Sequence, residues 1–171
     1  MSFNIDNYIG KIENFPKDGI LFYDINPLLS NYIAWDQTLN MLSEKVSSLN
    51  PDLLVAIESR GFLLASALSI KLKTGFTLIR KQGKLPGKVL SQSYSLEYNN
   101  DKLEIQVDCI KKNQKVLIID DVLATGGTIN ASIKLLNQLD ANILGCLCLI
   151  ELTKLNGRKA IDIPCYSLIQ Y

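Results

Sequence analysis

Two adjacent acids stand directly before a loop of small residues in the segment VLIIDDVLATGGT, Val116–Thr128. The apolar run ahead of Asp120 and Asp121 predicts a buried strand that delivers both carboxylates to the carboxyl edge of a sheet, where open α/β folds bind ligands. The glycines that follow allow close backbone approach, and a helix start offers free N–H groups to an anion. The segment therefore predicts a phosphate site beside groups that bind hydroxyls, as a ribose 5-phosphate requires.

A tight strand-to-helix turn with a capping threonine is the alternative interpretation of this segment. It explains the glycines but not the adjacent acids Asp120 and Asp121. Thr125 and Thr128 add hydroxyl donors, and each charge-assisted hydrogen bond to a phosphate contributes about 1.5–3 kcal/mol. Other phosphate motifs are absent from the sequence, since it contains no GxxxxGK[ST] and no GxGxxG after a strand.

Histidine is absent from the 171 residues. This excludes a Ser-His-Asp triad, a Cys-His dyad, an HExxH zinc site and an imidazole proton shuttle. The 18 Lys+Arg and 17 Asp+Glu residues give a net charge of +1, so no global field favours nucleic acid or an acidic membrane. Any chemistry must use carboxylates, lysines, backbone dipoles or a metal held by oxygen ligands.

The four cysteines form no CxxC pair. We expect them to be buried free thiols of a cytosolic protein rather than disulfide or zinc ligands. The N-terminal sequence MSFNIDNYIG lacks the pattern of a signal peptide, and no apolar run approaches the roughly 20 residues that cross a bilayer. We therefore expect a soluble, cytoplasmic protein that binds neither membrane nor nucleic acid.

Helical and extended segments alternate along a chain whose length fits one domain of roughly 150 residues. This alternation predicts an α/β fold with a central, mainly parallel sheet flanked by helices on both faces. Helices are predicted around Asp6–Glu13, through the apolar stripe from Trp35 to Leu49 after Ser30 or Asn31 as N-cap, and over Gly61–Leu72 and Thr128–Leu139. Strands are predicted at Leu53–Ile57, Thr77–Arg80, Val89–Tyr94, Leu103–Val107, Val116–Ile119 and Ile143–Ile150.

The Val116–Thr128 segment resembles the signature of the type I phosphoribosyltransferases. Further blocks, in the expected order, are similar to those of the family's adenine-specific members: FPKDGILFYDINPLL (Phe15–Leu29), ESRGFLLA (Glu58–Ala65), LIRKQGKLPG (Leu78–Gly87), SYSLEYNNDKLEI (Ser93–Ile105) and the ending SLIQY. The resemblance implies a single domain, 1–171, with the type I phosphoribosyltransferase fold. It also implies an N-terminal base-binding segment, 1–30, and a flexible antiparallel hood that forms the catalytic loop, 84–100.

The same resemblance implies a reaction between adenine and phosphoribosyl pyrophosphate, with Mg²⁺ as cofactor, that gives AMP and pyrophosphate. The 5-phosphate would be held by Ala124, Thr125, Gly126, Gly127 and Thr128, while Asp120 and Asp121 would bind the ribose hydroxyls and lie near the metal. Pyrophosphate would be bound by Glu58, Ser59, Arg60 and Gly61, and by Arg80, Lys81 and Lys84, partly from the second subunit of a homodimer. A non-proline cis peptide is expected near Glu58–Ser59.

The catalytic acid implied by the resemblance is Glu97, with Tyr98 beside it and Arg60 stabilising the departing pyrophosphate. Phe22 would stack on adenine with Val122 on the other face, and the backbone around Leu21 and Tyr23 would read the edge of the base. From composition alone, Glu97 is a surface glutamate in a polar hairpin, and the alternative interpretation of Phe22 is an ordinary core residue.

Three positions depart from the family pattern. Tyr23 stands where many members have arginine, Glu58 replaces the common aspartate or alanine, and Val122 is smaller than the frequent leucine. Two alternatives remain: a transferase acting on hypoxanthine, guanine, xanthine or orotate, and a regulatory protein that keeps the binding site without catalysis. The block FPKDGILFYDI favours adenine, and the length and net charge give little support to an added DNA-binding domain or an RNA-binding face.

Overall fold

The structure, a computed structural model, describes residues 3–95 and 100–171. The chain forms two compact units, Met1–Met41 and Leu42–Tyr171. The predicted base-binding segment 1–30 lies inside the smaller unit, and the expectation of one domain over 1–171 stays a prediction. Among the described residues, no helix is both long and apolar enough to span a membrane.

A two-stranded antiparallel hairpin is the main feature of the smaller unit. After a 3-10 turn at Ile5–Tyr8, strand β1 (Gly10–Glu13) pairs with β2 (Leu21–Asp24), and the short helix α1 covers Asn26–Leu29. The prediction of a helix around Asp6–Glu13 was therefore wrong over its second half. The helix prediction fails there because the backbone groups from Gly10 onward form hydrogen bonds with β2 instead of within a helical turn.

Helix α2 (Tyr32–Val46) follows the predicted amphipathic stripe. Its first turn is capped by the Asn31 side chain, which accepts a hydrogen bond from the Ala34 amide at 3.0 Å. A 3-10 turn, Ser47–Leu49, extends it before Pro51. The Asn31 cap and the stripe were both predicted from the sequence and are confirmed.

A seven-stranded sheet with the order β5-β6-β4-β3-β7-β8-β9 forms the centre of the larger unit. Neighbours from β4 to β9 pair in parallel, whereas β6 pairs antiparallel with both β4 and β5. The strands are β3 (Leu53–Ile57), β4 (Gly75–Lys81), β5 (Val89–Ser95), β6 (Asn100–Gln106), β7 (Lys115–Leu123), β8 (Asn142–Glu151) and β9 (Cys165–Gln170). The mainly parallel sheet and the antiparallel β5–β6 pair are as predicted, while β9 was not predicted.

Helices α3 (Arg60–Leu72) and α4 (Gly127–Gln138) connect β3 to β4 and β7 to β8. From the centre of the sheet, one connection runs from β3 to its neighbour β4, and the other runs in the opposite direction, from β7 to β8. Because such connections are right-handed, α3 and α4 lie on opposite faces of the sheet. Successive side chains of each strand point to opposite faces of the sheet. Val55 and Ile118, for example, belong to one buried cluster with Ile129 of α4. Because β3 and β7 are neighbours, the loops that follow them meet at the point where the strand order reverses.

Candidate functional site

The loop after β7 joins a buried strand to a helix start without a side-chain cap. Gly126 adopts the left-handed conformation, with φ of 84°, and helix α4 begins at Gly127. The N-cap residue is Gly126, which has no side chain to cap the first turn, so the turn's N–H groups are available to an anion. Asp120 and residues 122–129 line a cleft at this position. The predicted phosphate residues Ala124, Thr125, Gly126, Gly127 and Thr128 are all part of it.

The two acids at the end of β7 are buried, with relative exposures of 8% for Asp120 and 6% for Asp121. One Asp120 oxygen accepts a hydrogen bond from the Asp121 amide at 2.9 Å. Burial, and secondarily the charge of Asp121, raises the pKa of the Asp120 carboxyl well above its usual value. Burial also raises the pKa of Asp121, and Arg60 opposes that shift.

Arg60 joins the loop after β3 to the acid pair. Its Nε atom lies 2.7 Å from Oδ2 of Asp121. The peptide bond between Glu58 and Ser59 is cis, which confirms the prediction for this loop. Gly61 is required by close packing, because a Cβ there would lie 2.7 Å from the Ile119 carbonyl oxygen. The two predicted anion-binding loops therefore lie side by side.

The basic residues predicted to bind pyrophosphate meet around the Glu58 carboxylate. Lys84 Nζ lies 2.5 Å from Oε1, the Lys81 amide donates to Oε2 at 2.9 Å, and Arg80 Nε lies 3.4 Å from Oε2. Burial raises the pKa of Glu58, but the hydrogen bonds from Lys84 and the Lys81 amide outweigh it, so the net pKa is lowered. The Glu58 carboxylate therefore organises these cations, and its predicted contact with pyrophosphate stays a prediction.

Lys81 turns its ammonium group toward strand β6. Its Nζ lies 2.9 Å from Oδ2 of Asp101, and this ion pair raises the pKa of Lys81 and lowers that of Asp101. The Tyr94 hydroxyl donates to Asp101 at 3.4 Å; burial raises the pKa of Tyr94, and the nearby Thr128 side chain opposes that rise. Tyr94 and Asp101 thus link the β5–β6 pair to both anion-binding regions. The sequence analysis did not single out these two residues. They lie directly opposite each other on β5 and β6, so finding them requires the register of that strand pair.

The residues predicted to bind adenine in the smaller unit lie on β2. Leu21 is exposed, whereas Phe22 and Tyr23 are half-buried. The Phe22 ring meets Phe15 edge to face, with centroids 5.0 Å apart and an interplanar angle of 74°. In the larger unit, Val122 is half-buried near the end of β7. Their predicted contacts with adenine stay predictions.

Glu97 and Tyr98 lie outside the described residues. The structure therefore describes the predicted catalytic loop, 84–100, except for residues 96–99. Within this loop, residues 89–95 form β5. Within the described ranges, no group of three or more His, Cys, Asp or Glu residues could form a metal site by itself. Asp120 and Asp121 nevertheless supply the oxygen ligands that Mg²⁺ prefers alongside substrate phosphates.

A family model described as phosphoribosyl transferase domain matches residues 33–170 of this chain. The chain is 49% identical over 168 residues to an adenine phosphoribosyltransferase of Gluconobacter oxydans (strain 621H), covering 98% of this chain and 94% of that protein. It is 46% identical over 168 residues to the adenine phosphoribosyltransferase of Rhodospirillum rubrum, covering 98% of each chain.

Solved structures give the same result. The adenine phosphoribosyltransferase of Thermoanaerobacter pseudethanolicus superposes with a TM-score of 0.95 at 44% identity, covering 98% of each chain. The Saccharomyces cerevisiae enzyme, complexed with adenine and an imino-altritol bisphosphate, gives a TM-score of 0.91 at 36% identity over 95% of each chain. The Giardia lamblia enzyme, complexed with 9-deazaadenine, gives 0.93 at 33% identity over 98% of this chain and 96% of that one.

Proposed function

Because this chain belongs to the adenine phosphoribosyltransferases, within the type I phosphoribosyltransferase fold, we propose that its two neighbouring loops bind the two ends of phosphoribosyl pyrophosphate. The protein transfers the 5-phosphoribosyl group from phosphoribosyl pyrophosphate to adenine, giving AMP and pyrophosphate, a reaction of purine salvage. The observation that carries the placement is the 2.7 Å ion pair between Arg60 of one loop and Asp121 beside the other.

The 5-phosphate binds at the loop Ala124–Thr128 in this proposal. The start of α4 presents N–H groups and the positive end of its dipole, and Thr125 and Thr128 add hydroxyl donors. Asp120 and Asp121 precede the loop and accept hydrogen bonds from the ribose hydroxyls. In a ribose 5-phosphate the phosphate and the hydroxyls are close together, as the loop and the two acids are in this site.

Pyrophosphate binds at the loop of Ser59, Arg60 and Gly61 and at the cations Arg80, Lys81 and Lys84. The leaving group carries away the negative charge that develops as its bond to C1′ breaks, so cations placed there stabilise the transition state. Glu58 lies between Lys84 and Arg80, and its negative charge opposes the anion that these cations bind.

Magnesium is the proposed cofactor. Asp120 and Asp121 would hold it together with oxygen atoms of the substrate, a donor set that suits a hard cation. When bound, Mg²⁺ would neutralise part of the pyrophosphate charge. The side chains of this protein then orient the ribose and exclude water, and neither role requires a histidine.

Glu97 is the proposed group for proton transfer, and Tyr98 lies next to it in the sequence. In this proposal Glu97 lies against N7 of adenine and accepts the proton that the base carries there as N9 bonds to C1′, so the base of AMP is left neutral while pyrophosphate leaves with the electrons of its bond to C1′. Phe22 stacks on the base, and the backbone around Leu21 and Tyr23 pairs with the donor at N6 and the acceptor at N1. An oxopurine reverses this donor and acceptor pattern, so it leaves buried polar groups unpaired.

A homodimer is proposed as the working assembly. Leu63 and Ile70 lie on one face of α3, and their relative exposures of 47% and 79% leave apolar surface for a second copy to cover. Sedimentation at micromolar protein concentration tests this proposal, and a monomer at that concentration would contradict it.

A cytoplasmic location is also proposed. All four cysteines are free thiols, as expected for a reducing compartment. Cys146 and Cys148 are buried, as predicted, whereas Cys109 and Cys165 are partly exposed. Fractionation of cells that express the tagged protein would test the location.

The experiment that tests the function measures nucleotide formation from Mg²⁺, phosphoribosyl pyrophosphate and each purine base in turn. We expect AMP from adenine, with hypoxanthine and guanine slower by about 10⁴-fold because of their reversed edge pattern. Product from an oxopurine at a similar rate would indicate one of the other transferases, and no product from any base would indicate a binding protein. The Asp121→Asn variant serves as the inactive control.

A further inference from the structure

A buried carboxylate at the end of β8 anchors a neighbouring arginine through two hydrogen bonds. Glu151 is 5% exposed, and its oxygens lie 2.9 Å from Arg158 Nε and 2.5 Å from Nη2. Ser167 and Gln170 also donate to this carboxylate, at 2.6 and 3.1 Å. Nη1 of Arg158 donates to the Cys165 carbonyl oxygen at 2.6 Å, so the guanidinium is fixed on three of its nitrogens.

Arg158 belongs to a 3-10 turn, Gly157–Ala160, that packs directly on the proposed phosphate loop. A Cβ on Gly126 would lie 2.6 Å from the Gly157 carbonyl oxygen and 3.2 Å from the Ala160 Cβ. In the reverse direction, a Cβ on Gly157 would overlap the Ala124 carbonyl oxygen and come within 3.0 Å of the Gly126 amide nitrogen. The two backbones are therefore in contact, with no space for a side chain between them.

The contact matters because it bears on the amide groups that would face a phosphate. Gly126 has a φ of 84°, and the direction of the following N–H groups depends on that conformation. The turn restricts it from one side, and the Arg158–Glu151 pair holds the turn to the end of β8. Leu152, the residue after β8, is also hydrogen bonded to the end of β7, because its amide donates to the Leu123 carbonyl oxygen at 2.9 Å.

We propose that Glu151 and Arg158 are positioning residues for the 5-phosphate, acting through Gly157 on the loop Ala124–Gly126. The inference rests on the proposed function, because it takes this loop as the phosphate site. Release of the turn lets the loop relax, so its N–H groups lose their common direction and the phosphate loses hydrogen bonds. The pyrophosphate loop at Ser59–Gly61 is held instead at the acid pair, where Arg60 Nε lies 2.7 Å from Oδ2 of Asp121.

The test is a pair of titrations on the full chain, one with ribose 5-phosphate and one with pyrophosphate, both with Mg²⁺ present. The variants are Arg158→Lys, Arg158→Ala and Gly157→Ala. Arg158→Lys keeps the charge but not the paired hydrogen bonds, and Gly157→Ala adds a Cβ against the loop without changing either member of the ion pair. Lys159→Ala, at an exposed position of the same turn, is the matched control.

We expect each of the three variants to bind ribose 5-phosphate about tenfold more weakly. Pyrophosphate affinity and the control variant should stay within about twofold of the wild type. In turnover, KM for phosphoribosyl pyrophosphate should rise while KM for adenine and kcat at saturation change little. A general loss of folding would instead weaken the binding of both ligands together. If Arg158→Ala does not fold, Gly157→Ala and Arg158→Lys still test the inference.

Two outcomes overturn the inference. Equal affinities of wild type and variants for ribose 5-phosphate would show that the turn does not position the loop, and equal weakening of both ligands would show a structural role alone. If the wild-type protein itself does not bind ribose 5-phosphate, the placement of the phosphate site is wrong and the inference falls with it. The wild-type titration therefore separates failure of the proposed function from failure of the inference.

Discussion

The Glu58 carboxylate lies 2.5 Å from the Lys84 ammonium nitrogen. Its second oxygen accepts from the Lys81 amide at 2.9 Å. Although burial raises the pKa of Glu58, these partners lower it overall, so the carboxylate is charged at neutral pH. Lys84 and Arg80, which the proposal assigns to pyrophosphate, are thus already paired with Glu58, while the Lys81 ammonium is paired with Asp101. Pyrophosphate must bind against that negative charge.

The variant Glu58→Gln should bind pyrophosphate more tightly. Glutamine keeps the size and one acceptor oxygen, but it removes a negative charge close to the bound anion. Because the Glu58 side chain is largely buried, its charge contributes at least about 1 kcal/mol, or about fivefold in affinity, and added salt should shrink the gain. Isothermal titration at two ionic strengths would measure it. Glu44→Gln on α2, at an exposed position, makes the same change in net charge and should have no effect; weaker binding by the Glu58 variant would contradict the prediction.

The ion pair of Arg60 and Asp121 predicts a change in pH dependence. Burial raises the pKa of Asp121 and Arg60 opposes that shift, so Arg60→Ala should raise this pKa further. We expect the acid limb of kcat/KM for phosphoribosyl pyrophosphate to move to higher pH, on top of a loss of about 100-fold at the optimum. Arg60→Lys keeps the charge, so its acid limb should stay near that of the wild type. An unchanged limb in the alanine variant would show that Asp121 does not need to be ionised.

The proposed role of Glu97 predicts a loss of turnover rather than of binding. Glu97→Ala removes the proposed partner of N7 and should lower kcat by about 10²–10⁴-fold with a much smaller change in KM for adenine. Steady-state kinetics with both substrates varied would measure the split. Asp108→Asn, at an exposed position after β6, removes an acid elsewhere and is the control. Turnover like that of the wild type would return Glu97 to an ordinary surface glutamate.

The sequence predicted the centre of the fold because several local signals agree there. The apolar run before Asp120, the small-residue loop and the amphipathic helix after it all indicate one strand-loop-helix unit. The structure confirms this with β7 and α4, and the resemblance correctly predicted the cis peptide after β3. The strand at Gly10–Glu13 was missed because its hydrogen bonds go to β2, and a short segment with few buried residues carries no periodic signal.

Side-chain pairs that no helical or strand period determines account for most of what the sequence did not predict in the site. Glu58 and Lys84 were both assigned to pyrophosphate, but only the structure shows that one neutralises the other. Tyr94 and Asp101 depend on a strand register. Arg158 was not considered because it follows a buried strand in an irregular segment, and its partner Glu151 reads in the sequence as a strand-end acid. Such pairs require tertiary coordinates, since spacing along the chain does not determine them.

Glu151 also predicts a pH dependence of stability. Arg158 lowers the pKa of the Glu151 carboxyl from the ordinary 4.5 to about 2, against burial, which raises it. A lowered folded-state pKa adds stability that is fully present above pH 4.5 and is lost as the pH falls toward about 2. Such a shift corresponds to at most about 3 kcal/mol, and the contribution is smaller because Arg158 is half exposed and solvent screens the pair.

In Glu151→Gln, the free energy of unfolding should therefore fall short of the wild type by about 1–3 kcal/mol at pH 7, and the gap should close as the pH is lowered. Urea unfolding at one fixed protein concentration, at a series of pH values from neutral to acid, would measure this. Glu44→Gln, at an exposed position of α2, is the control, and at pH 7 its free energy of unfolding should stay within about 0.5 kcal/mol of the wild type. A Glu151 gap that stays constant or widens in acid would mean that the ionised carboxylate is not what stabilises this end of the sheet.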